Sequence, residues 1–232
     1  MSERPVWQRD EFQQINTDFA DAAVVEGYET WMGKFRDLAA EDAAILDRLA
    51  LARGARLLEI GTGTGHFAIA AAQAGLQVTA VDVSEKMLQY AEQKARSKQS
   101  IDVAFRHAGF LTFAVPPATF DAAVSMAVLH HLPDLWKAVA LANVRRALKP
   151  GGLFLLGDVV FSSQQSDPRW QFDAYVEAMP SAMRDRVCGH LAKEFSTLDW
   201  IMEGLLTRAG FQIQSITIAG TAMIHYLCKA DG

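Results

Sequence analysis

The segment Leu57-Leu58-Glu59-Ile60-Gly61-Thr62-Gly63-Thr64-Gly65-His66 constrains this chain more than any other, being an apolar run, a carboxylate and then three glycines at alternate positions. Arg56 to Ile60 has the length and apolar density of a strand buried on both faces, whereas His66 to Ala74 carries the small and apolar residues of a helix. The glycines therefore fall between strand and helix, where a missing Cβ lets backbone and ligand approach closely. About twenty residues further on, a second apolar run, Val78-Thr79-Ala80-Val81, ends in Asp82, and a carboxylate at a strand tip is placed to take both hydroxyls of a ribose. Together the two features predict a nucleoside site at one rim of a wound α/β sheet.

The glycine spacing separates one class of nucleoside from another. In a dinucleotide turn, Gly-x-Gly-x-x-Gly, the helix begins against a pyrophosphate; here the third glycine falls one residue early and His66 occupies the dinucleotide position. Glu59 points the same way, because an anion repels a diphosphate but favours a ligand carrying an ammonium group. S-adenosylmethionine carries one. In these residues the chain resembles the class I S-adenosylmethionine-dependent methyltransferases, whose first motif has the form E/D-x-G-x-G-x-G after a strand, with an acidic residue ending the next strand. Thr119-Phe120-Asp121-Ala122-Ala123-Val124-Ser125-Met126 looks like the family's fourth strand, and Leu129-His130-His131-Leu132 like the segment that follows. Arg146-Ala147-Leu148-Lys149-Pro150-Gly151-Gly152, continuing into Leu153-Phe154-Leu155-Leu156, looks like the helix end, turn and fifth strand written R-x-L-K-P-G-G. Its mechanics are local: basic residues suit the last helical turn, Pro150 stops the helix, and Gly151-Gly152 allow the reversal into the strand.

Periodicity gives the organisation. Residues 1 to about 50 read as a helical cap, with Phe12, Ile15 and Phe19 on one stripe and Trp31, Phe35 and Leu38 on another. From Arg56 to about Gly157 strands and helices alternate: a helix with Ser84 as N-cap, a strand over Asp102 to Arg106, another over Phe120 to Met126, then a helix over Asp134 to Leu148. Such alternation means an α/β fold with a parallel, doubly wound sheet. Residues 161–196 break the rhythm and read as a helical lid inserted after the fifth strand. Thr197 to Ala209 reads as a last helix, and Phe211 to Ile218 with Met223 to Lys229 as an antiparallel hairpin turning at Ala219-Gly220-Thr221. The resemblance implies a Rossmann-like, seven-stranded sheet in the order 3-2-1-4-5-7-6, with residues 51–232 forming the S-adenosylmethionine-binding domain.

Ligands of such sheets bind beyond the carboxyl ends of the strands, so site residues follow from position. Glu59 is expected to reach the methionyl ammonium, with Gly61, Thr62, Gly63 and Gly65 shaping the turn and Thr62 or Thr64 donating a hydroxyl. Asp82 is expected to hold the ribose, while Val83 and Met87 offer apolar contact to adenine and Met126 closes the tip of the fourth strand. Many relatives have an acidic residue after the third strand that accepts from the adenine amino group; here the stretch is His107-Ala108-Gly109-Phe110, leaving Phe110 to offer its amide and Gly109 its carbonyl. Tyr28 and Trp31 are candidates to close over the sulfonium, since aromatic faces attract cations. Methyl transfer asks mainly for alignment, exclusion of water and sometimes removal of a proton. His131, just past the fourth strand with His130, and Asp158, just past the fifth, are the catalytic candidates. His190, Glu194, Asp199, Trp200, Glu203 and His225 are candidates for the acceptor side.

Composition excludes several partners. A net charge of −5 and the lack of a Lys/Arg cluster beyond Lys94 to Lys98 argue against a nucleic-acid backbone as substrate. The segment after the fourth strand, Met126-Ala127-Val128-Leu129, also lacks the Asn/Asp-Pro-Pro-Tyr/Phe of enzymes that methylate DNA amino groups or glutamine amides, and no Pro-Cys nucleophile is present. The apolar runs are strand-sized, and Met1-Ser2-Glu3-Arg4-Pro5 lacks the apolar core of a signal peptide, so a cytoplasmic location and no membrane partner are expected. Cys188 and Cys228 are too few and too far apart for a disulfide framework or a metal site, and no metal is expected. The expected activity is direct transfer of a methyl group to a small or medium-sized organic acceptor at O, N, S or C. A nicotinamide-dependent oxidoreductase and a non-catalytic S-adenosylmethionine-binding protein are the alternatives.

Overall fold

The fold is that of a computed structural model, which describes residues 5–13, 15–16, 19, 22–98, 102–162, 167 and 169–232. A central sheet takes its strands in the order β3-β2-β1-β4-β5-β8-β7, where β1 is Arg56–Ile60, β2 Gln77–Asp82, β3 Val103–His107, β4 Phe120–Met126, β5 Leu148–Phe161, β7 Phe211–Ala219 and β8 Met223–Ala230. The first five run parallel, and β8 joins β5 and β7 antiparallel. The family order is thus present, with one addition. Thr197 and Leu198, expected to open a helix, instead form a two-residue strand β6 beside Val160 and Phe161, so the strands number eight.

Alternation along the strands divides the core. Leu57, Val78, Ala80, Ala122, Val124 and Leu155 face α2 (Leu38–Leu49) and α3 (His66–Gln73). Leu58, Ile60, Val81, Ala123, Phe154 and Leu156 face α5 (Asp134–Ala147) and α8 (Asp199–Arg208). Burying both faces of the parallel strands is what their near-continuous apolar sequence requires. Between them, α4 (Glu85–Arg96) begins at Ser84, whose hydroxyl accepts from the Met87 amide at 3.2 Å and so caps the helix as expected.

Two local differences bear on the site. The stripe of Phe12, Ile15 and Phe19 does not build a helix: residues 6–8 and 11–13 form turns and bends, and Asn16 sits at φ 69°. Its polar and aromatic groups are used instead on separate elements, Phe12 packing on His107 with ring centres 4.7 Å apart and the Phe19 carbonyl accepting from the Ser84 hydroxyl at 2.7 Å. Helix begins at α1 (Ala22–Met32) and breaks before α2, which Asp37 caps through the Ala40 amide. The second difference is at Pro150: α5 ends at Ala147, and Phe120 pairs with Leu148 but Ala122 with Leu153, so Lys149 to Gly152 bulge out of β5. Gly151, at φ 74°, supplies the left-handed residue this bulge needs.

The expected lid holds α6 (Arg169–Ala178) and α7 (Arg184–Lys193), linked by a short 3-10 turn at Ser181–Met183. Its residues 163–166 and 168, and residues 1–4 of the N-terminus, lie outside the described residues. Among the described residues no helix is long and apolar enough to cross a membrane.

Candidate active site

All the side chains singled out at strand tips lie along one rim, where β1, β2, β3 and β4 end. The turn after β1 is held by the Gly61 and Thr62 amides, which donate to the Val81 carbonyl at 2.8 and 3.0 Å. Gly61, Gly63 and Gly65 all have positive φ, at 79°, 52° and 72°. At Gly61 a Cβ would lie 2.2 Å from Val128 Cγ2, and at Gly65 2.8 Å from the Ala91 Cβ; at Gly63 it would meet nothing within 4 Å. Two of the glycines are thus demanded by packing. The third leaves open space along the turn.

Glu59 and Asp82 are both buried beside that turn. Thr62 donates its hydroxyl to Glu59 Oε2 at 2.7 Å, while Asp82 takes the Gly63 amide at 2.7 Å and the Ser84 amide at 2.8 Å. Burial raises both carboxyls above the ordinary range, Glu59 to about 8, helped by the negative neighbours Asp42 and Asp82. A buried carboxylate facing two others is a site short of positive charge. The neighbouring cap residues are tied down: Asp42 of α2 bonds His66 Nδ1 at 2.5 Å, and Glu29 of α1 pairs with Lys94 of α4.

On the other side of the rim, His130 and His131 occupy a 3-10 turn after β4 (Leu129–His131). His130 places Nδ1 2.5 Å from Asp158 Oδ1 and Nε2 3.2 Å from Glu194 Oε2. Glu194 also receives His190 Nδ1 of α7 and, at 2.9 Å, the Asn16 amide, while His190 Nε2 lies 2.7 Å from the Ser196 hydroxyl. Burial opposes charge on His130, but the two carboxylates outweigh it and lift the imidazole to about 9; Glu194 is correspondingly pushed down, against its own burial. His131 is the exception. Its side chain keeps 38% exposure, its Nδ1 is 3.9 Å from Glu194, and burial together with the His130 charge lowers it to about 4.

A model of the methyltransferase domain matches residues 57–152. Over 210 residues the chain is 31% identical to an uncharacterized methyltransferase of Geobacillus sp. (strain WCH70), covering 88% of this chain and 91% of that protein. The chain belongs to the methyltransferase family. The 27-O-demethylrifamycin SV methyltransferase of Amycolatopsis mediterranei is 37% identical over 134 residues, 55% of this methyltransferase and 48% of its own length. Among solved structures, a phosphoethanolamine N-methyltransferase of Haemonchus contortus in complex with S-adenosyl-L-methionine aligns with 97% of this chain and 60% of its own at TM-score 0.72 and 18% identity. The [4+2]-cyclase SpnF aligns with TM-score 0.65 and 19% identity over 83% of this chain and 80% of its own. Both show the shared fold.

The methyltransferase brings some predicted residues together and separates others. Glu59, Gly61, Thr62, Gly63, Gly65 and Asp82 share the one turn, with Val83 and the buried Met87 beside Asp82. The Phe110 side chain is buried in the core, with its carbonyl accepting from Asn143 of α5, and Met126, at the end of β4, packs against Gly157. Asp158, expected just past the fifth strand, lies within β5, which runs on to Phe161; it is wholly buried and reaches His130, not His131. Tyr28 and Trp31 surround a guanidinium: Arg186 of α7 sits 5.7 Å and 5.3 Å from their ring centres, joining the cap to the lid. His190 and Glu194 enter the site, whereas Trp200 is exposed and His225 lies 3.5 Å from Arg48 of α2.

Sequence reasoning passed over Glu11, Asn16 and Arg186, which lie outside every motif and reach the site only through tertiary packing. It also had no means of seeing that His130, His190 and Glu194 converge, with ligand-type atoms within 4.8 Å of one another. Their spacing would suit a cation, and the two carboxylates beside His130 also favour its protonated form.

Proposed function

We propose that this methyltransferase uses S-adenosylmethionine and moves its methyl group directly to a small or medium-sized organic acceptor. The observation that carries the reading is the turn at Glu59, where a buried carboxyl with negative neighbours meets the open space at Gly63. An ammonium group beside Glu59 would offset, by attraction to the carboxylate, the cost of burial that raises its pKa, whereas a diphosphate would face Glu59 and Asp82 together. Asp82 is oriented by the Gly63 and Ser84 amides and has lone pairs left for ribose hydroxyls. Bound S-adenosylmethionine supplies an activated methyl group on its sulfonium. The chain's part is to hold donor and acceptor in line, exclude water and, where the acceptor needs it, take a proton.

For that last task His131 is the residue of choice: it is uncharged at neutral pH, partly exposed and next to the β4 tip. Asp158 is a positioning residue that acts through His130 by fixing the ring against Glu194. The curated relative that acts on a rifamycin supports an organic molecule as the acceptor, in keeping with the absence of a phosphate-binding basic cluster in the sequence.

Calorimetry with S-adenosylhomocysteine, run in parallel with NADH, tests the reading. Micromolar binding of S-adenosylhomocysteine alone is expected; NADH binding alone would favour an oxidoreductase. Once an acceptor screen has given turnover, His131→Ala should leave S-adenosylhomocysteine affinity nearly intact and slow the reaction, and loss of both together would make His131 a structural residue.

A further inference from the structure

The N-terminal segment brings a carboxylate to the end of β3. The Glu11 carboxylate accepts from the Leu111 amide, with both oxygens at 3.0 Å, and from the Thr112 hydroxyl at 2.7 Å. A Cβ built on Gly109 would lie 2.5 Å from Glu11 Oε2 and 2.7 Å from Val83 Cγ1. The Glu11 carboxylate therefore fills the space that a side chain at position 109 would occupy, and it borders Val83, the residue that follows Asp82. Its partners in the structure are neutral, and burial raises its pKa despite them.

Where Asp82 holds a ribose, the attached base must extend from the β2 tip towards the next tip outward, which is β3 and the loop after it. That region is lined by Val83, Gly109 and Glu11. Adenine presents an amino donor on its polar edge, and a donor removed from water needs an acceptor. Two carboxylate oxygens offer about four lone-pair directions; the Leu111 amide and the Thr112 hydroxyl bond directly, the Thr112 and Gly109 amides lie close by, and Oε2 has only its share of the Leu111 amide as a direct bond. We propose that Glu11 recognises the adenine amino group, so that the carboxylate missing at Gly109 is delivered by the N-terminal segment. This rests on the S-adenosylmethionine reading above. It makes Glu11 a specificity-determining residue, and it gives Gly109 a reason: a side chain there would collide with the residue that replaces it.

The competing role for Glu11 is to cap the loop, whose Thr112 and Phe113 amides already donate to the Gly109 carbonyl. The experiment compares S-adenosylhomocysteine with S-inosylhomocysteine, which carries a carbonyl in place of the amino group. The full-length protein should prefer the adenine compound by at least about tenfold, the scale of one charge-assisted hydrogen bond. Glu11→Ala should reduce that preference towards unity, and Gly109→Asp should weaken binding, because its Cβ meets Val83 Cγ1 as well as the Glu11 carboxylate. Glu11→Gln keeps an oxygen for Leu111 and offers an amide donor to the inosine carbonyl, so it should shift the preference towards inosine even if Glu11→Ala folds poorly. A preference unchanged in Glu11→Gln would overturn the proposal and leave Glu11 as a loop cap. Failure of the unaltered protein to bind S-adenosylhomocysteine would instead overturn the cofactor reading itself, before any variant is compared.

Discussion

Glu59 sits where a carboxylate is least willing to ionise, at the closed end of a strand with Asp42 and Asp82 for neighbours. Its folded pKa of about 8 stands above its ordinary value, so ionising it costs folding free energy progressively as pH rises from about 4.5 towards 8. A ligand ammonium favours the ionised form. Affinity for S-adenosylhomocysteine should therefore climb with pH up to about 8 and then level off, as read by calorimetry across that range. Glu59→Gln should flatten the climb, weaken binding, and raise the melting temperature of the unliganded protein at alkaline pH. Thr62 is the only side chain found to donate to this carboxylate among the described hydrogen bonds, and one hydroxyl is little compensation for a buried charge.

At the scale of elements, the strand-turn-helix unit of β1 and α3 shows why the sequence was so readable there. Its glycines are set by local geometry, positive φ and close approach, and such demands leave a mark on the sequence itself. Gly61→Ala should cost roughly 1–3 kcal/mol or more, because the left-handed backbone and the contact with Val128 both oppose a Cβ. Chemical denaturation would measure it, and Val128→Ala in the same chain should recover part of the loss. The Ser84 cap and the C-terminal hairpin were legible for the same reason, since periodicity and capping are written over neighbouring residues, whereas the strand order came with the family resemblance. The stripe of Phe12, Ile15 and Phe19 misled because helical spacing was present without a common face to bury; Phe12 and Phe19 serve β3 and α4 separately. Leu198 and Thr197 gave no strand signal, since two residues beside β5 form a strand only when β5 is already there. Arg186 over Tyr28 and Trp31 is likewise a contact between distant elements, which no local pattern announces.

At the scale of the whole molecule, the turn after β4, β5 and the end of α7 are tied together by a network of His130, Asp158, Glu194 and His190. His130 has a folded pKa near 9, above its ordinary 6.5, so its contribution to stability is complete below about 6.5 and is lost as pH rises through 9. Glu194 is shifted down, so its contribution is present above its ordinary 4.5 and fades in acid. Thermal melts should show a fall in stability between pH 7 and 9.5 that His130→Asn removes. Asp158 is legible in the sequence as a candidate although it lies within β5 rather than past its end, but its partner is not, because the pairing spans 28 residues of sequence and Glu194 a further 36.

The stretch around residues 9–19 touches both halves of this arrangement. Arg9 lies 5.1 Å over the Phe195 ring and Asn16 donates to Glu194, while Glu11 holds the loop after β3 and Phe19 meets Ser84. That set of four residues is therefore held by two separate surfaces, and the entropy of ordering it is lost only once. Whatever fastens it on the base side leaves less to be lost on the acceptor side. If both ligands bind as proposed, positive cooperativity between them is expected from this connection alone, with no displacement of the sheet that lies between them.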